Sequence, residues 1–116
     1  MAKPLSDSVV ARGFRAILAA AAVLASTAPP VLAVDAQVKI ANFTFDPPTL
    51  TVKAGTTVTW INADDIPHLV SEKDGKFRSS ALDTNDKFSQ TFSIAGTVEY
   101  FCAIHPHMTG RIVVTP

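Results

Sequence analysis

The chain has 116 residues, 47% of them hydrophobic and 17% charged, with ten basic and ten acidic side chains and one cysteine. That length suits one small domain rather than a larger multi-domain enzyme. One cysteine excludes an intramolecular disulfide and a multi-cysteine zinc site, and the balanced charge lacks the clustered Lys and Arg of a nucleic-acid footprint.

The first segment in chain order is basic, then apolar, then small. Lys3, Arg12 and Arg15 precede the run Ala16 to Ala25, which is followed by Ser26, Thr27, Ala28 and Pro29-Pro30. This is the plan of a secretory signal peptide over residues 1–33, with cleavage expected after Ala33 and a cut after Ala36 as the second choice. A spanning helix needs about 20 consecutive apolar residues, and the prolines end this run too early, so no stable membrane insertion is expected. Arg12 and Arg15 are not adjacent and no cysteine lies near the cut, so neither a twin-arginine route nor lipid attachment is indicated. Three of the ten basic and one of the ten acidic residues fall in the leader, leaving seven against nine and a mature net charge of −2 over residues 34–116.

The mature region reads as strands. Val38-Lys39-Ile40 alternates apolar with polar, Phe43-Thr44-Phe45 repeats the pattern, and Asp46-Pro47-Pro48 interrupts it because proline has no N–H to donate. Leu50 to Lys53 alternates again, Gly55 turns the chain, and Thr57 to Asn62 is rich in β-branched and aromatic residues. Val58 and Trp60 share the inner face. Phe88, Gln90, Phe92 and Ile94 fall on one parity, as in a half-buried strand. Ala95-Gly96-Thr97 leads into Val98 to Phe101, and Gly110 precedes a last strand over residues 111–114. No window carries a convincing helical period. Seven to eight short strands predict an all-β, antiparallel β-sandwich of two sheets.

The chemistry concentrates between the last two strands, in Cys102-Ala103-Ile104-His105-Pro106-His107-Met108. A thiolate, an imidazole and a thioether spaced by three and three converge on one ion if the segment folds tightly, and a soft S/N/S donor set selects copper. A fourth ligand must come from elsewhere. His68, after Asp64-Asp65-Ile66-Pro67, is the one histidine outside that segment. The candidate metal ligands are therefore His68, Cys102, His105 and Met108, with Met108 as the weak axial donor. Taken singly, each has a blander reading: a buried small thiol, a solvated histidine, a core methionine. Their joint spacing and the liability of an unpaired exported thiol favour ligation. The Asp64-Asp65 pair reads as a solvated turn rather than a metal site.

These residues resemble the cupredoxins, the small type 1 (blue) copper proteins, over nearly the whole mature chain. The resemblance rests on Phe43-Thr44-Phe45-Asp46-Pro47, Leu50 to Gly55, Val58 to Asn62, His68, Phe92, Gly96 to Tyr100, and Cys102 through Met108 to Val114. The short step from His105 to Met108 is similar to amicyanin; plastocyanin and pseudoazurin place the methionine two positions later. The resemblance implies a Greek-key sandwich with one copper ion at one end, cycling between Cu(II) and Cu(I). It implies transfer of single electrons between redox partner proteins, for example from a dehydrogenase to a cytochrome c, by a carrier that is not an enzyme; the bacterial-style signal points to the periplasm, and a monomer is expected of a carrier that must exchange partners. It further implies that His105, ringed by Ile104, Pro106 and Phe43, is the exposed port for electrons.

Three positions depart from the amicyanin-like pattern. Ile104 replaces a usual proline and so brings an N–H that could donate to the Cys102 sulfur and raise the reduction potential. Leu69 replaces an asparagine, removing a side-chain link between ligand loops while keeping a backbone N–H. His107 replaces an apolar residue and is a competing ligand to be weighed. Rival readings are a periplasmic copper carrier without electron transfer, a fragment of an oxidase or nitrite reductase, and a metal-free interaction module. The oxidase reading needs an additional catalytic copper with three histidines, and all three of the chain's histidines are already accounted for.

Overall fold

The structure, a computed structural model, describes residues 35–116. The leader and its cleavage point, both expected within residues 1–36, fall outside or at the very edge of the described residues. Eight strands follow in order: β1 (Asp35–Ala41), β2 (Thr44–Asp46), β3 (Thr49–Lys53), β4 (Thr56–Asn62), β5 (Val70–Glu72), β6 (Lys87–Phe92), β7 (Gly96–Cys102) and β8 (His105–Thr115). No helix occurs among the described residues.

The strands form two four-stranded sheets, β2-β1-β4-β6 and β3-β8-β7-β5. Most neighbours are antiparallel, while β1 with β4 and β3 with β8 run parallel. Period-two alternation places the core. In β4 every second residue, Thr56, Val58, Trp60 and Asn62, is buried, and Val38 and Ile40 of β1, Tyr100 and Cys102 of β7, and Met108, Ile112 and Val114 of β8 join them. Trp60 is fully buried and sits at its centre, with ring centroids of Tyr100 at 5.2 Å, Phe88 at 5.8 Å and Phe77 at 6.2 Å. Burying one such aromatic side chain stabilises the fold by roughly 3 kcal/mol.

Two local expectations differ from what the fold adopts. Ile94, read as the inner-facing end of a strand, is 84% exposed. Its strand stops at Phe92 because the partner β4 begins at Thr56, opposite Phe92, and leaves nothing further to pair with. The segment from Cys102 to Gly110, read as a loop, is mostly strand: Ala103-Ile104 is a tight turn and β8 already begins at His105. The register shifts between Phe101 and Cys102, so Phe101 faces Thr109 while Cys102 faces His105. Residues 106–108 are therefore surplus on the β8 side, a bulge that re-aims side chains at the end of the sheet.

Candidate metal centre

Backbone pairing brings three distant pieces of chain to one end of the sandwich. His68 is held by a two-way bridge to Leu82, its N–H donating to the Leu82 carbonyl at 3.0 Å and its carbonyl accepting from Leu82 at 2.7 Å. Cys102 ends β7, paired with Val70 on one side and His105 on the other. His68 and Cys102 are completely buried, Met108 is 5% exposed, and His105 is half-buried.

The donor atoms of His68, Cys102 and His105 all lie within 4.8 Å of one another. The Cys102 Sγ is 3.7 Å from His68 Nδ1 and 3.5 Å from His105 Nδ1. Donors each about 2.1 Å from one ion in a trigonal plane stand about 3.6 Å apart, so the cluster fits a metal. Its composition, one thiolate sulfur with two imidazoles, is the set that suits copper. Three of the four residues singled out from sequence are thus brought together, and the fourth, Met108, lies buried on the same hairpin in the core. His107 is exposed and outside the cluster.

The sulfur has one backbone donor among the described residues, the Leu69 N–H at 3.4 Å. The Ile104 N–H, named as a possible donor there, makes no hydrogen bond to the sulfur; Ile104 lies in the turn between β7 and β8. The missing Asn side chain at position 69 is replaced by main chain: Ala103 N–H donates to the Leu69 carbonyl at 3.0 Å, so the two ligand segments are cross-linked at residue 69 in both directions.

Two residues of the site were not singled out from sequence. Asp64, read as part of a solvated turn, is turned inward: its Oδ2 lies 2.7 Å from His68 Nε2. A proton on Nε2 leaves Nδ1 facing the sulfur, a carboxylate–histidine pairing that fixes a ligand ring. Partial burial pushes the Asp64 carboxyl up, but hydrogen bonds from the Phe43 and Asn42 N–H groups and from His68, with the charge of His68, together hold it below the usual carboxylate value. Asp65 is exposed, as expected of a turn. Asn62 is the second. Its buried amide donates to the Ile66 carbonyl at 2.9 Å and the Leu82 carbonyl at 2.7 Å and accepts from Asp64 N–H at 2.8 Å, bracing the segment that carries His68. Its parity with Val58 and Trp60 was the available signal.

Around His105 the surface is apolar. Phe43 and Ile104 are 54% and 49% exposed, and the Phe43 ring meets His105 edge-on at 5.1 Å. Isolated exposed apolar residues are ordinary, whereas a group of them is a candidate contact surface.

Residues 32–115 match the family of copper binding proteins that includes plastocyanin and azurin. Amicyanin-alpha of Methylorubrum extorquens is 36% identical over 117 residues, spanning 86% of this chain and 98% of its own. Among solved structures, a purple cupredoxin from Nitrosopumilus maritimus superposes with a TM-score of 0.64 at 34% identity, over 69% of this chain and 99% of that one. An oxidised methionine-to-leucine mutant of amicyanin gives 0.65 at 37% identity, over 68% and 80%.

Proposed function

The chain belongs to the plastocyanin/azurin family of copper binding proteins, and from that membership we propose that it is an exported carrier of single electrons, with one copper held by His68, Cys102, His105 and Met108. Residues 1–33 act as a signal peptide and residues 34–116 work as a monomer in the periplasm. The observation that carries this reading is a fully buried sulfur faced by two imidazole nitrogens at 3.5 and 3.7 Å, one of them on a half-exposed ring.

Copper bound there supplies one-electron chemistry by alternating between Cu(II) and Cu(I). The chain contributes the rest. His68 is held by Asp64 and by its backbone bridge to Leu82, so its ring has little freedom to rearrange. The Leu69 N–H draws density from the sulfur, and burial of Cys102 and Met108 keeps water out. His105, between Phe43 and Ile104, offers a partner protein a ring edge within an apolar rim, suited to brief docking without a large interface. A dehydrogenase as donor and a cytochrome c as acceptor fit that role; no substrate is transformed, so the protein is a carrier rather than an enzyme. Among the described residues no helix is long and apolar enough to cross a membrane.

The test is to express the full chain with export, load it with Cu(II), and record its visible spectrum and its reaction with reduced cytochrome c. An intense visible band, lost in Cys102→Ala, and reversible one-electron exchange are expected. A colourless product refutes the ligand set, and a coloured protein that exchanges no electrons would make it a copper carrier instead.

A further inference from the structure

Strands β1 and β2 are joined by two residues, Asn42 and Phe43, both in the left-handed region at φ +53° and +56°. A two-residue hairpin of this type I′ form needs positive φ at both positions, which is why Asn-Gly is its favoured pair. Asn42 suits its place, but phenylalanine stands where glycine is the norm, at a cost of roughly 1 kcal/mol. Something must hold the turn in that conformation and reward it.

The holding group is a carboxylate more than 20 residues away. Asp64 Oδ1 accepts from Asn42 N–H at 2.6 Å and Oδ2 from Phe43 N–H at 3.0 Å. The same Oδ2 takes His68 Nε2 at 2.7 Å. Asp64 is itself fixed from behind, by its N–H on Asn62 Oδ1 at 2.8 Å and by Thr84 Oγ1 donating to its carbonyl at 2.7 Å. The conformation so enforced lays the Phe43 ring edge-on against both imidazoles, with centroids 5.6 Å from His68 and 5.1 Å from His105.

We propose that Asp64 is a positioning residue that ties the Asn42-Phe43 turn to His68, so that one carboxylate sets both the ring pose of a metal ligand and the pose of the aromatic side chain rimming the docking face. This rests on the copper reading of the site. The chemistry is specific to a carboxylate, because all three partners are N–H groups and an anion presents acceptors only. An asparagine of the same shape would turn its NH2 toward one of those donors. The left-handed Phe43 is then explained: the strain is maintained because releasing it would uncover the face shared by both histidines.

The test compares the protein with Asp64→Asn and Phe43→Gly by amide hydrogen exchange in the metal-free state, and by reduction potential and the His68 ring N–H resonance in the diamagnetic Cu(I) state. In Asp64→Asn the amides of Asn42 and Phe43 should exchange at least tenfold faster while those of Val58 and Tyr100 in the core keep their protection. The His68 Nε2–H signal should be lost to solvent exchange, and the potential should rise, since an anion beside a ligand favours Cu(II). In Phe43→Gly the His68 signal should persist, because Asp64 remains. Unchanged protection at Asn42 and Phe43, or an unchanged His68 signal in Asp64→Asn, overturns the proposal; so does loss of that signal in Phe43→Gly, which would show that the ring cover and not the carboxylate protects it. If the unsubstituted protein fails to bind copper, the copper reading falls, and the exchange rates of Asn42 and Phe43 still decide whether Asp64 is the tether.

Discussion

Gly110 and Tyr100 pair across β8 and β7 so closely that position 110 has room for no side chain: a Cβ there would stand 2.7 Å from Tyr100 Cε2 and closer still to Cζ and the hydroxyl. The ring has nowhere to go, with Phe45 at 4.7 Å and Trp60 at 5.2 Å. Gly110→Ala should therefore destabilise the protein by about 1–3 kcal/mol through overpacking. Urea unfolding followed by the fluorescence of the single tryptophan measures this, and a stability unchanged within error would contradict the contact.

Tyr100 also sets a limit at high pH. Burial pushes its phenol up to about 12, a shift that the Trp60 indole tempers without reaching hydrogen-bond geometry, since Trp60 Nε1 and the Tyr100 hydroxyl are both buried without a partner. The folded value lies above the ordinary 10.0, so the neutral phenol is favoured in the fold. That contribution is complete below pH ~10 and is lost as pH rises toward 12. As the only tyrosine, Tyr100 can be followed alone by phenolate absorbance, which should appear above the normal range or together with unfolding.

Tyr100→Phe removes an unsatisfied buried hydroxyl and should cost less than about 0.5 kcal/mol or stabilise, because nothing is left unpaired by the change. The fall in stability between pH 10 and 12 should flatten in the same variant. A loss of several kcal/mol would mean that the hydroxyl has a partner after all.

Asn62 is the opposite case, with all three of its side-chain hydrogen-bonding roles filled. Asn62→Ala should cost about 2–3 kcal/mol, as the part-buried Ile66 carbonyl and the Asp64 N–H lose their partner and the Leu82 carbonyl keeps only the His68 N–H. Because the braced segment carries His68, copper affinity should fall in parallel, and a titration showing unaltered affinity would separate the brace from the site.

The cross-link at Leu69 bears on the reduction potential. With the Leu69 N–H as the backbone donor to the sulfur, Ile104→Pro removes no bond to Cys102 and should move the potential by less than the ~59 mV that corresponds to a tenfold change for one electron. Voltammetry showing a larger drop would restore Ile104 as the donor.

Strand periodicity and the candidate ligands are local properties, legible in the sequence by itself. Alternation in Thr57 to Asn62 needs only a pleat, and Cys102, His105 and Met108 lie within one hairpin, where a spacing of three and three is meaningful without knowing the fold. His68 is reachable by elimination, being the one histidine outside that hairpin. Tertiary structure decided the rest, because the groups involved are far apart in the chain. Asp64 looks like any turn acid until β1 and β4 lie side by side and bring Asn42 and Phe43 to its carboxylate. Which N–H reaches the sulfur depends on β5 pairing with β7, which sets Leu69 rather than Ile104 beside Cys102. Even Ile94, apolar and correctly phased, is exposed only because its partner strand ends two residues too soon.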